Sequence, residues 1–418
     1  MADVLIIGGG ASGMAAALFA ARAGADVLLL EHNEKLGKKI YITGKGRCNL
    51  TNDCSGEEFL AQVPRNPRFL YSALSFFGPR DMMRLLEEAG CPVTVQRGRR
   101  VFPASEKASD VTKALAALMK QAGVQVRLNT EVRSLQAADG RISGVVTSAG
   151  ETIPARAAVL CTGGMSYPST GSTGDGYRLA AEAGHTVLPP SPVLVGLETA
   201  EDWPRSLQGL SLRNVTLALK SGKRVLYTEL GEMLFTHFGV SGPLVLEASC
   251  HLPENARDAV LLLDLKPGLT PEQLDTRLRR DFAAAGKKQL RTELASLLPA
   301  RLADLFPRLC GLPDSLSCSQ VTGEQRRLLL ERLKSLPLPV RAPRPLAEAI
   351  VTRGGVSVRE VKPATLESKC LTGLYLAGEL LDVDAHTGGY NLQIAWSTGA
   401  LAGRSAAEAA LTENDFQS

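Results

Sequence analysis

The chain has 418 residues, of which 44% are hydrophobic and 22% are charged, and its formal net charge is +4. This composition excludes an intrinsically disordered protein, because it supplies enough apolar surface for two or three domains. No apolar run approaches the roughly 20 residues that a membrane-spanning helix needs, and residues 1–3 carry no basic signal-peptide start, so we expect a cytoplasmic protein.

The cysteines give no sign of a metal site or a disulfide framework. Eight cysteines and five histidines are scattered along the chain, and no two cysteines form a CxxC pair. Structural zinc sites are typically built from such pairs. We therefore expect reduced thiols and no bound metal.

The N-terminal segment predicts a strand, a glycine turn, a helix and a second strand. An apolar run at residues 4–7 enters the sequence GGGASG, and an alanine-rich stretch continues to about Arg22. A second apolar run at residues 27–30 ends at Glu31. This order is the dinucleotide-binding fingerprint, in which pyrophosphate lies on the helix N-terminus and the acid accepts ribose hydrogen bonds. A carboxylate there repels a 2′-phosphate, so we expect an unphosphorylated adenosine.

A second turn of the same kind follows further along the chain. Short β-type runs at residues 124–129, 132–135 and 142–147 precede it, with Asp139-Gly140 as a hairpin signal. The apolar strand that comes next, at residues 157–161, ends in Thr162-Gly163-Gly164.

The middle of the chain has a different pattern. Residues 193–264 are rich in β-type runs, and residues 270–336 repeat leucines at helical intervals. Four prolines between 337 and 345 predict a stiff connector. The predicted domains are a discontinuous dinucleotide-binding domain of residues 1–190 and 345–418, a β-rich inserted domain of residues 191–268, and a helical inserted domain of residues 269–344.

The C-terminal segment returns to the chemistry of the N-terminal one. A strand at residues 374–377 ends at Gly378-Glu379, and a helix opens at Asn391 and is predicted to reach about Ala410. Glu379 can accept hydrogen bonds from a ribitol, and N–H groups near Asn391 can face the flavin N1 and C2 carbonyl, where negative charge builds on reduction. An enzyme that binds only a nicotinamide cofactor does not need a second strand, acid and helix start of this kind at its C-terminus. The two chain ends together therefore favour FAD over NAD alone.

Several long motifs resemble the HI0933-like group of bacterial flavoproteins. They are ITGKGRCNLTN at 42–52, GGMSYP at 163–168, TGSTGDGY at 170–177, LFTHFGVSGP at 234–243, TRGGV at 352–356 and GGYNLQ at 388–393. The resemblance extends over essentially the whole chain. It implies an α/β fold with a Rossmann-like, glutathione-reductase-like FAD-binding domain that is interrupted by a β-barrel-like unit and a small helical unit.

The same resemblance implies positions around the cofactor. It places residues 46–49 near the flavin, the backbone of Val132 at the adenine, and Thr162 and Gly163 along the same cleft. Members of the group are reductases of conjugated oxo-steroids such as bile-acid intermediates, or oxidases of aminoacetone. The predicted cofactor-binding residues are Gly8, Gly10, Ala11, Ser12, Gly13, Glu31, Lys39, Gly46, Arg47, Cys48, Asn49, Val132, Thr162, Gly163, Gly378, Glu379, Asn391, Leu392 and Gln393.

The loop after Glu31 contains basic residues and two cysteines. The basic residues are Lys38, Lys39, Lys45 and Arg47. Their place in a glycine-rich loop favours contact with a phosphate or the flavin, and Arg47 is the first candidate. Cys48 and Cys54 have five residues between them, whereas the redox pair of disulfide reductases has four. We therefore favour Cys48 as a small residue packed by the flavin over a redox-active dithiol.

Three residues are candidates for the catalytic proton donor or base. His386 lies immediately before the helix aimed at the flavin, and a histidine there can exchange protons at neutral pH. Tyr167 follows the Gly163 turn, and His237 lies in the middle of the chain. A capping or packing role is the alternative for each of them.

The helical segment of the middle region is basic. Between Arg277 and Arg341 there are thirteen Lys or Arg and six Asp or Glu, including the pairs Arg279-Arg280, Lys287-Lys288 and Arg326-Arg327. Such pairs can bind RNA. The segment lacks interleaved aromatic residues, however, so a solvated helix surface is favoured over nucleic-acid binding.

The leading functional hypothesis is an FAD-dependent oxidoreductase that passes a hydride from flavin N5 to an α,β-unsaturated carbonyl compound of oxo-steroid type. NAD(P)H would be a transient electron donor, because the sequence contains no second nucleotide fingerprint. One alternative is a flavin amine oxidase that acts on a substrate such as aminoacetone with O2 as acceptor. Another is an RNA-binding flavoprotein. The expected partner is a small-molecule substrate and not a membrane, and the sequence leaves the oligomeric state open.

Overall fold

The computed structural model describes residues 1–253 and 255–415, which form two compact units. The sheet unit comprises residues 1–193 and 346–418, and the barrel unit comprises residues 194–345. Each unit has its own hydrophobic core. The strands and helices, in chain order, are β1 Ala2–Ile7, α1 Ala11–Arg22, β2 Val27–Leu30, β3 Thr51–Asn52, α2 Gly56–Leu60, α3 Tyr71–Phe76, α4 Pro79–Glu88, β4 Val93–Gln96, β5 Arg100–Pro103, α5 Ala108–Gln121, β6 Gln125–Arg127, β7 Val132–Ala138, β8 Arg141–Thr147, β9 Thr152–Leu160, α6 Asp175–Glu182, β10 Val187–Val193, β11 Leu197–Thr199, α7 Trp203–Ser206, β12 Ser211–Ser221, β13 Arg224–Phe235, β14 Gly239–Ser241, α8 Pro243–Ser249, β15 Ala259–Asp264, α9 Pro271–Ala285, α10 Leu290–Leu294, α11 Ala300–Leu309, α12 Gly323–Lys334, β16 Leu336–Pro343, β17 Val351–Val356, β18 Leu374–Leu376 and α13 Tyr390–Asp415.

The centre of the sheet unit is a seven-stranded sheet. Its order is β6-β2-β1-β9-β8-β7, and β18 pairs with the C-terminal half of β9. The strands β6, β2, β1, β9 and β18 are parallel, while β7, β8 and β9 form an antiparallel meander. The chain leaves β1 towards β2 on one side and β9 lies on the other, so the carboxyl end of β1 is a topological switch point, where α/β proteins bind ligands.

Helix α1 packs on this sheet through small residues. Its first turn lies so close to β1 that a Cβ at Gly13 would overlap the carbonyl oxygen of Gly8. The alanines that follow are buried, because the sheet lies on one side of α1 and α13 on the other. Small side chains are therefore needed on both faces of the helix.

Helices α1 and α13 meet backbone to backbone. A Cβ at Gly399 would overlap the carbonyl of Ser12, and a Cβ at Gly403 would overlap the carbonyl of Ala16. Both contacts advance by four residues in the same direction, so the two helices run parallel. Their N-termini, which carry the positive ends of the helix dipoles, consequently point the same way.

The two N-termini are offset along this common direction. The contact between Ser12 and Gly399 lies one residue after the start of α1 but nine residues after the start of α13. At 1.5 Å of rise per residue, α13 therefore begins about 12 Å ahead of α1.

The barrel unit contains a closed six-stranded barrel of order β11-β14-β13-β12-β15-β16. The helices α9 to α12 lie in sequence between β15 and β16, and their leucines share a hydrophobic core with the barrel strands. The three-domain division of the sequence stays a prediction.

The prediction of a stiff proline-rich connector after residue 336 was wrong. Residues Leu336–Pro343 form β16, which pairs with β15 and β11. Leu336, Leu338 and Val340 are buried, and the prolines alternate with them. This alternation directs the apolar side chains into the barrel core. The free energy of burying them outweighs the strand hydrogen bonds that the prolines cannot donate. Within the described residues, no helix has the length and hydropathy needed to cross a bilayer.

We expect Gly399→Ala to lower the free energy of unfolding by about 2 kcal/mol, because the added methyl forces α13 away from the Ser12 carbonyl. Urea unfolding measures the change. Gly56→Ala is the matched control, since a Cβ at Gly56 meets nothing within 4 Å and this residue opens α2. Equal stability of Gly399→Ala and the wild type would contradict the close helix packing.

Candidate active site

Four parallel strands of the sheet unit end at one edge, and each is followed by a predicted site residue. Gly8 follows β1, Glu31 follows β2, Thr162 comes shortly after β9, and Glu379 comes shortly after β18. Because the strands are parallel and adjacent, the structure brings these four residues to the same edge of the sheet. They are up to 371 positions apart in the sequence.

The first turn of α1 presents backbone N–H donors to open space. The N–H groups of Ala11, Ser12 and Gly13 meet no acceptor in the part of the chain that the structure describes. A Cβ at Gly10 would meet nothing within 4 Å, so the space in front of these donors is open. Free N–H groups at a helix N-terminus bind a pyrophosphate well.

Glu31 is buried, and its carboxylate holds the glycine turn that follows β1 against the end of β2. Its Oε2 accepts from the Gly9 N–H at 2.6 Å, and its Oε1 accepts from the backbone and side-chain N–H groups of Asn33 at 2.8 and 2.7 Å. A carboxylate has about four acceptor positions, so one position remains for a ribose hydroxyl. No sequence motif pointed to Asn33.

A cavity of about 620 Å³ lies beside Glu31. It is lined by His32 on one side and by residues 129–131, which directly precede Val132, on another. Its other polar lining residues include Thr147, Ser148 and Asp175. The cavity is large enough for an adenosine, and its place next to Val132 agrees with the predicted adenine position, which stays a prediction.

Glu379 is the second acid of the edge, and it is the centre of an ion-paired network. Its Oε2 accepts from the Lys39 ammonium at 2.7 Å, and its Oε1 accepts from the Ser166 hydroxyl and the Thr352 N–H, both at 2.9 Å. Lys39 also donates to Ser166. As at Glu31, three acceptor positions are taken and one remains for a hydroxyl group.

The charge state of Glu379 follows from this network. Burial by itself would raise the pKa of the Glu379 carboxyl, but the nearby Lys39 ammonium and the hydrogen bonds from Thr352 and Ser166 outweigh burial and hold the pKa below its ordinary value. Glu379 is therefore ionised at neutral pH, and Lys39 balances its charge.

Thr162 presents an unsatisfied polar atom at the same edge. Its Oγ1 is buried and has no hydrogen-bond partner within the described residues. Gly163, next to it, has a positive φ of 75°, which turns the chain sharply after β9. An orphaned buried hydroxyl costs free energy unless a ligand or water satisfies it.

The first turn of α13 offers a second set of backbone donors. The N–H groups of Asn391 and Leu392 meet no acceptor in the described chain, whereas the Gln393 N–H donates to the Gly389 carbonyl at 3.1 Å. The side chains of this turn serve the fold. Gln393 is fully buried and bonds to Thr51, Phe77 and Ser397.

The loop that leads into α13 is held in place by asparagines. The Asn391 amide accepts from the Ala385 N–H and donates to the Ala385 and His386 carbonyls. Asn52 donates to the Gly388 carbonyl at 3.1 Å, and the Asn49 amide oxygen accepts from the Gly389 N–H at 3.0 Å in the orientation that satisfies both of its ends. Asn49 was a predicted cofactor residue, and the structure gives it this supporting contact.

Arg47 and Cys48 lie in the loop before β3. The Arg47 guanidinium contacts Glu106 at 3.2 Å and stacks on the Phe102 ring at 4.5 Å. Gly46 and Cys48 both have positive φ, and for Cys48 this is an uncommon left-handed conformation that surrounding contacts must hold. Their contact with the cofactor stays a prediction.

Cys48 and Cys54 do not form a disulfide. The chain between them is not a helix, since β3 intervenes. Burial raises the pKa of the Cys48 thiol to about 12 and that of the Cys54 thiol to about 11, so both are protonated at neutral pH. A protonated thiol is a poor nucleophile, which agrees with the packing role that the sequence favoured for Cys48.

The three candidate proton donors are in different surroundings. His386 is half-buried in the loop before α13, and its backbone N–H donates to the Gln62 carbonyl at 3.0 Å. Tyr167 has a positive φ of 50° and follows the Ser166 that bonds to Glu379. His237 is exposed between β13 and β14 in the barrel unit. Their catalytic roles stay predictions.

One cluster in the sheet unit contains metal-binding residue types. His185 Nδ1 lies 3.5 Å from Glu360 and 3.8 Å from the Cys370 sulfur. Ser368 Oγ accepts from the Cys370 and Leu371 N–H groups, so its own hydrogen is directed at His185 Nε2, 2.8 Å away. This assignment leaves Nδ1 protonated towards Glu360, and the network is complete without a metal.

The charges of the basic helical segment are largely compensated within the barrel unit. Asp275 pairs with Arg279 and Arg326, and Asp281 pairs with Arg277 and Arg280. These pairs agree with a solvated helix surface, which the sequence favoured over an RNA interface.

The residues at this edge fit an FAD molecule. The open donors of α1 suit a pyrophosphate, the orphaned Thr162 hydroxyl and the free acceptor positions of Glu31 and Glu379 suit sugar hydroxyls, and the donors of α13 suit a flavin carbonyl. The offset of about 12 Å between the two helix starts leaves room for a ribitol between the pyrophosphate and the flavin.

We expect Glu379→Gln to lower the free energy of unfolding by about 2 kcal/mol at pH 7, because Lys39 loses its half-buried ion-pair partner. Since the folded-state pKa of Glu379 is lowered, its contribution is complete above the ordinary value of about 4.3 and is lost as pH falls through the folded value. The difference between the variant and the wild type should therefore shrink in acid.

Urea unfolding at several pH values, with saturating FAD in every sample, measures this difference. Glu106→Gln is the control, because Glu106 also has a lowered pKa but makes its pair with Arg47 at the surface. We expect a much smaller effect there. A pH-independent loss in Glu379→Gln would show that packing, and not the ion pair, explains the effect.

Comparison with known proteins agrees with this geometry. The model of the HI0933-like protein Rossmann domain family matches residues 2–405. The 3-dehydro-bile acid delta(4,6)-reductase of Clostridium scindens is 34% identical over 408 residues, which cover 96% of this chain and 98% of that protein. The ribosomal RNA dihydrouridine synthase of Escherichia coli is 32% identical and is covered to 96%, with 95% of this chain aligned.

A solved structure shows the same fold. The 3-ketosteroid-delta4-(5alpha)-dehydrogenase of Rhodococcus jostii RHA1 superimposes with a TM-score of 0.53 at 17% identity, over 97% of this chain and 96% of that one. The predicted fold, a Rossmann-like FAD-binding domain interrupted by a barrel, is confirmed. The chain belongs to the HI0933-like family and is an FAD-dependent oxidoreductase.

Proposed function

We propose that this enzyme reduces a carbon–carbon double bond conjugated to a carbonyl group in a small molecule, with NAD(P)H as the electron donor. Bound FAD supplies the chemistry of accepting a hydride from the donor and passing it on through N5. The protein residues hold the cofactor, orient the substrate and supply the proton that completes the reduction.

One observation carries the proposal. The chain aligns over at least 95% of its length with two relatives whose names describe the same bond change. A delta(4,6)-reductase of a 3-dehydro bile acid saturates double bonds near a ketone. Dihydrouridine is uridine with a saturated C5–C6 bond, and that bond is conjugated to the C4 carbonyl of the ring.

The site geometry supports hydride chemistry at the α13 end. The N–H groups of Asn391 and Leu392 meet no acceptor in the described chain, and donors at a helix start can stabilise negative charge on the C2 carbonyl of a reduced flavin. Gln393 fixes this turn through its buried bonds to Thr51 and Phe77, so the donors are preorganised. Burial raises the pKa of the Cys48 and Cys54 thiols, which argues against a dithiol electron relay.

A small molecule is favoured over RNA as the substrate. The basic helical segment, which is the first RNA candidate of the sequence, pairs many of its arginines with its own acids. An arginine that is already paired with a carboxylate displaces few counterions from an RNA phosphate backbone. Such arginines therefore contribute little affinity for RNA.

The test is an anaerobic two-step measurement on the purified holoenzyme. NADH or NADPH should bleach the visible flavin band, and a 3-oxo-4-ene steroid should then restore it. A uridine-containing RNA oligonucleotide and aminoacetone are tested in parallel. Restoration by RNA alone would contradict the small-molecule substrate, and bleaching by aminoacetone with peroxide formation in air would show an amine oxidase instead.

Among the three candidates, we propose His386 as the proton donor, because its backbone is held by Gln62 and Asn391 directly before α13. We expect His386→Asn to slow reoxidation by the enone about 100-fold, the usual contribution of a general acid, while the rate of flavin reduction by the nucleotide stays unchanged. Stopped-flow absorbance separates the two steps.

Tyr167→Phe is the matched control, since it removes only a hydroxyl from another candidate. Equal slowing of both steps in His386→Asn would indicate a displaced flavin. A reoxidation rate that stays at the wild-type value would remove His386 as the donor.

A further inference from the structure

We propose that the turn at residues 97–100 is a phosphate-binding subsite beside the flavin end of the site, and that it binds the phosphate groups of the nicotinamide dinucleotide donor. This inference rests on the proposed function, because it assigns a place to the donor that the function requires. The sequence motifs and the fingerprint assign no residue to that donor.

The turn is rigid and connects β4 to β5. Gly98 and Arg99 both have left-handed backbone conformations, with φ of 74° and 57°. The Gly98 carbonyl accepts from the Asn52 amide at 3.0 Å, and the Arg99 carbonyl accepts from the Asp53 N–H at 2.8 Å. The backbone of the turn is thus fixed before any ligand binds, which reduces the entropy that binding costs.

The turn contains three arginines, and within the described residues only one of them is paired with an acid. Arg99 is paired with both carboxylate oxygens of Glu58 at 3.0 Å. Arg97 and Arg100 are exposed, and neither has a carboxylate within salt-bridge distance in the described chain. The Arg100 Nε donates to the Arg97 backbone carbonyl at 3.1 Å, which holds the Arg100 side chain against the turn. Exposed guanidinium groups with free donors are suited to a phosphate.

A single side chain connects this turn to the flavin end. The Asn52 amide donates at the same time to the Gly98 carbonyl and to the Gly388 carbonyl, at 3.0 and 3.1 Å. Gly388 belongs to the turn that leads into α13, and Asn52 is 2% exposed. The basic turn and the flavin-facing helix start are therefore neighbours, although about 290 residues separate them in the sequence.

The chemistry of the ligand follows from this placement. A hydride donor must bring its nicotinamide ring to the flavin while its phosphates remain near the surface, and the exposed arginines lie beside the flavin end. The pyrophosphate and, in NADPH, the 2′-phosphate are the groups that such arginines recognise. An RNA phosphodiester offers the same kind of oxygen atoms, so the experiment includes both sources.

The test measures equilibrium binding of NADP⁺ and NAD⁺ to the oxidised holoenzyme by isothermal titration calorimetry. The variant is Arg97→Gln with Arg100→Gln. We expect the dissociation constant of the preferred nucleotide to rise about tenfold or more, as the loss of charge-assisted hydrogen bonds predicts. The affinity of the variant should also depend less steeply on salt.

The matched control is Lys223→Gln with Arg224→Gln, which removes two exposed charges from a hairpin of the barrel unit. It should leave nucleotide binding at the wild-type level. The FAD content and circular dichroism of each protein confirm that the variants fold and retain their cofactor.

The outcomes separate this inference from the proposed function. If the double arginine variant binds the nucleotide with wild-type affinity, the proposed subsite is wrong. It is also wrong if the variant loses RNA retention on a filter while its nucleotide binding is unchanged. If neither nucleotide binds the wild type, the subsite is overturned, but restoration of the flavin band by the enone after dithionite reduction still supports the reductase. Weakened nucleotide binding in a protein that no enone reoxidises supports the subsite and contradicts the reductase.

Discussion

The backbone contact between α1 and α13 is the constraint on which the site depends. Gly399 and Gly403 let α13 lie against the carbonyls of Ser12 and Ala16, so the two helices are parallel and have a fixed offset. One helix start offers donors to a pyrophosphate, and the other offers donors about 12 Å further on. A larger side chain at either glycine would push α13 away from α1 and change the distance between the two helix starts.

The negative charges of the two acids at the sheet edge are each compensated by nearby donors. Glu31 and Glu379 bring two carboxylates to the sheet edge whose α1 donors suit a dianionic pyrophosphate, and like charges repel. Glu379 is balanced by Lys39 at 2.7 Å, and Glu31 is buried among three N–H donors. Each acid thus keeps one acceptor position for a sugar hydroxyl, and its negative charge is locally compensated.

Much of the fold was predictable because its signals are local. The glycine fingerprint, Glu31 and the strand before Gly378 are continuous motifs, and the structure places them as predicted. β16 was missed because its prolines have poor strand propensity, and only pairing with β15 and β11 makes the strand favourable. The network of Lys39, Ser166 and Glu379 could not be predicted, since it depends on which loops the sheet order brings together.

The role of Asn52 shows how a supporting residue can escape a sequence motif yet connect two parts of a site. It is buried in a two-residue strand, and its amide bonds simultaneously to the turn before α13 and to the basic turn after β4. A displacement of either turn would break one of these bonds. The position of the turn that contains Arg97 and Arg100 is therefore coupled to the start of α13 through one buried side chain.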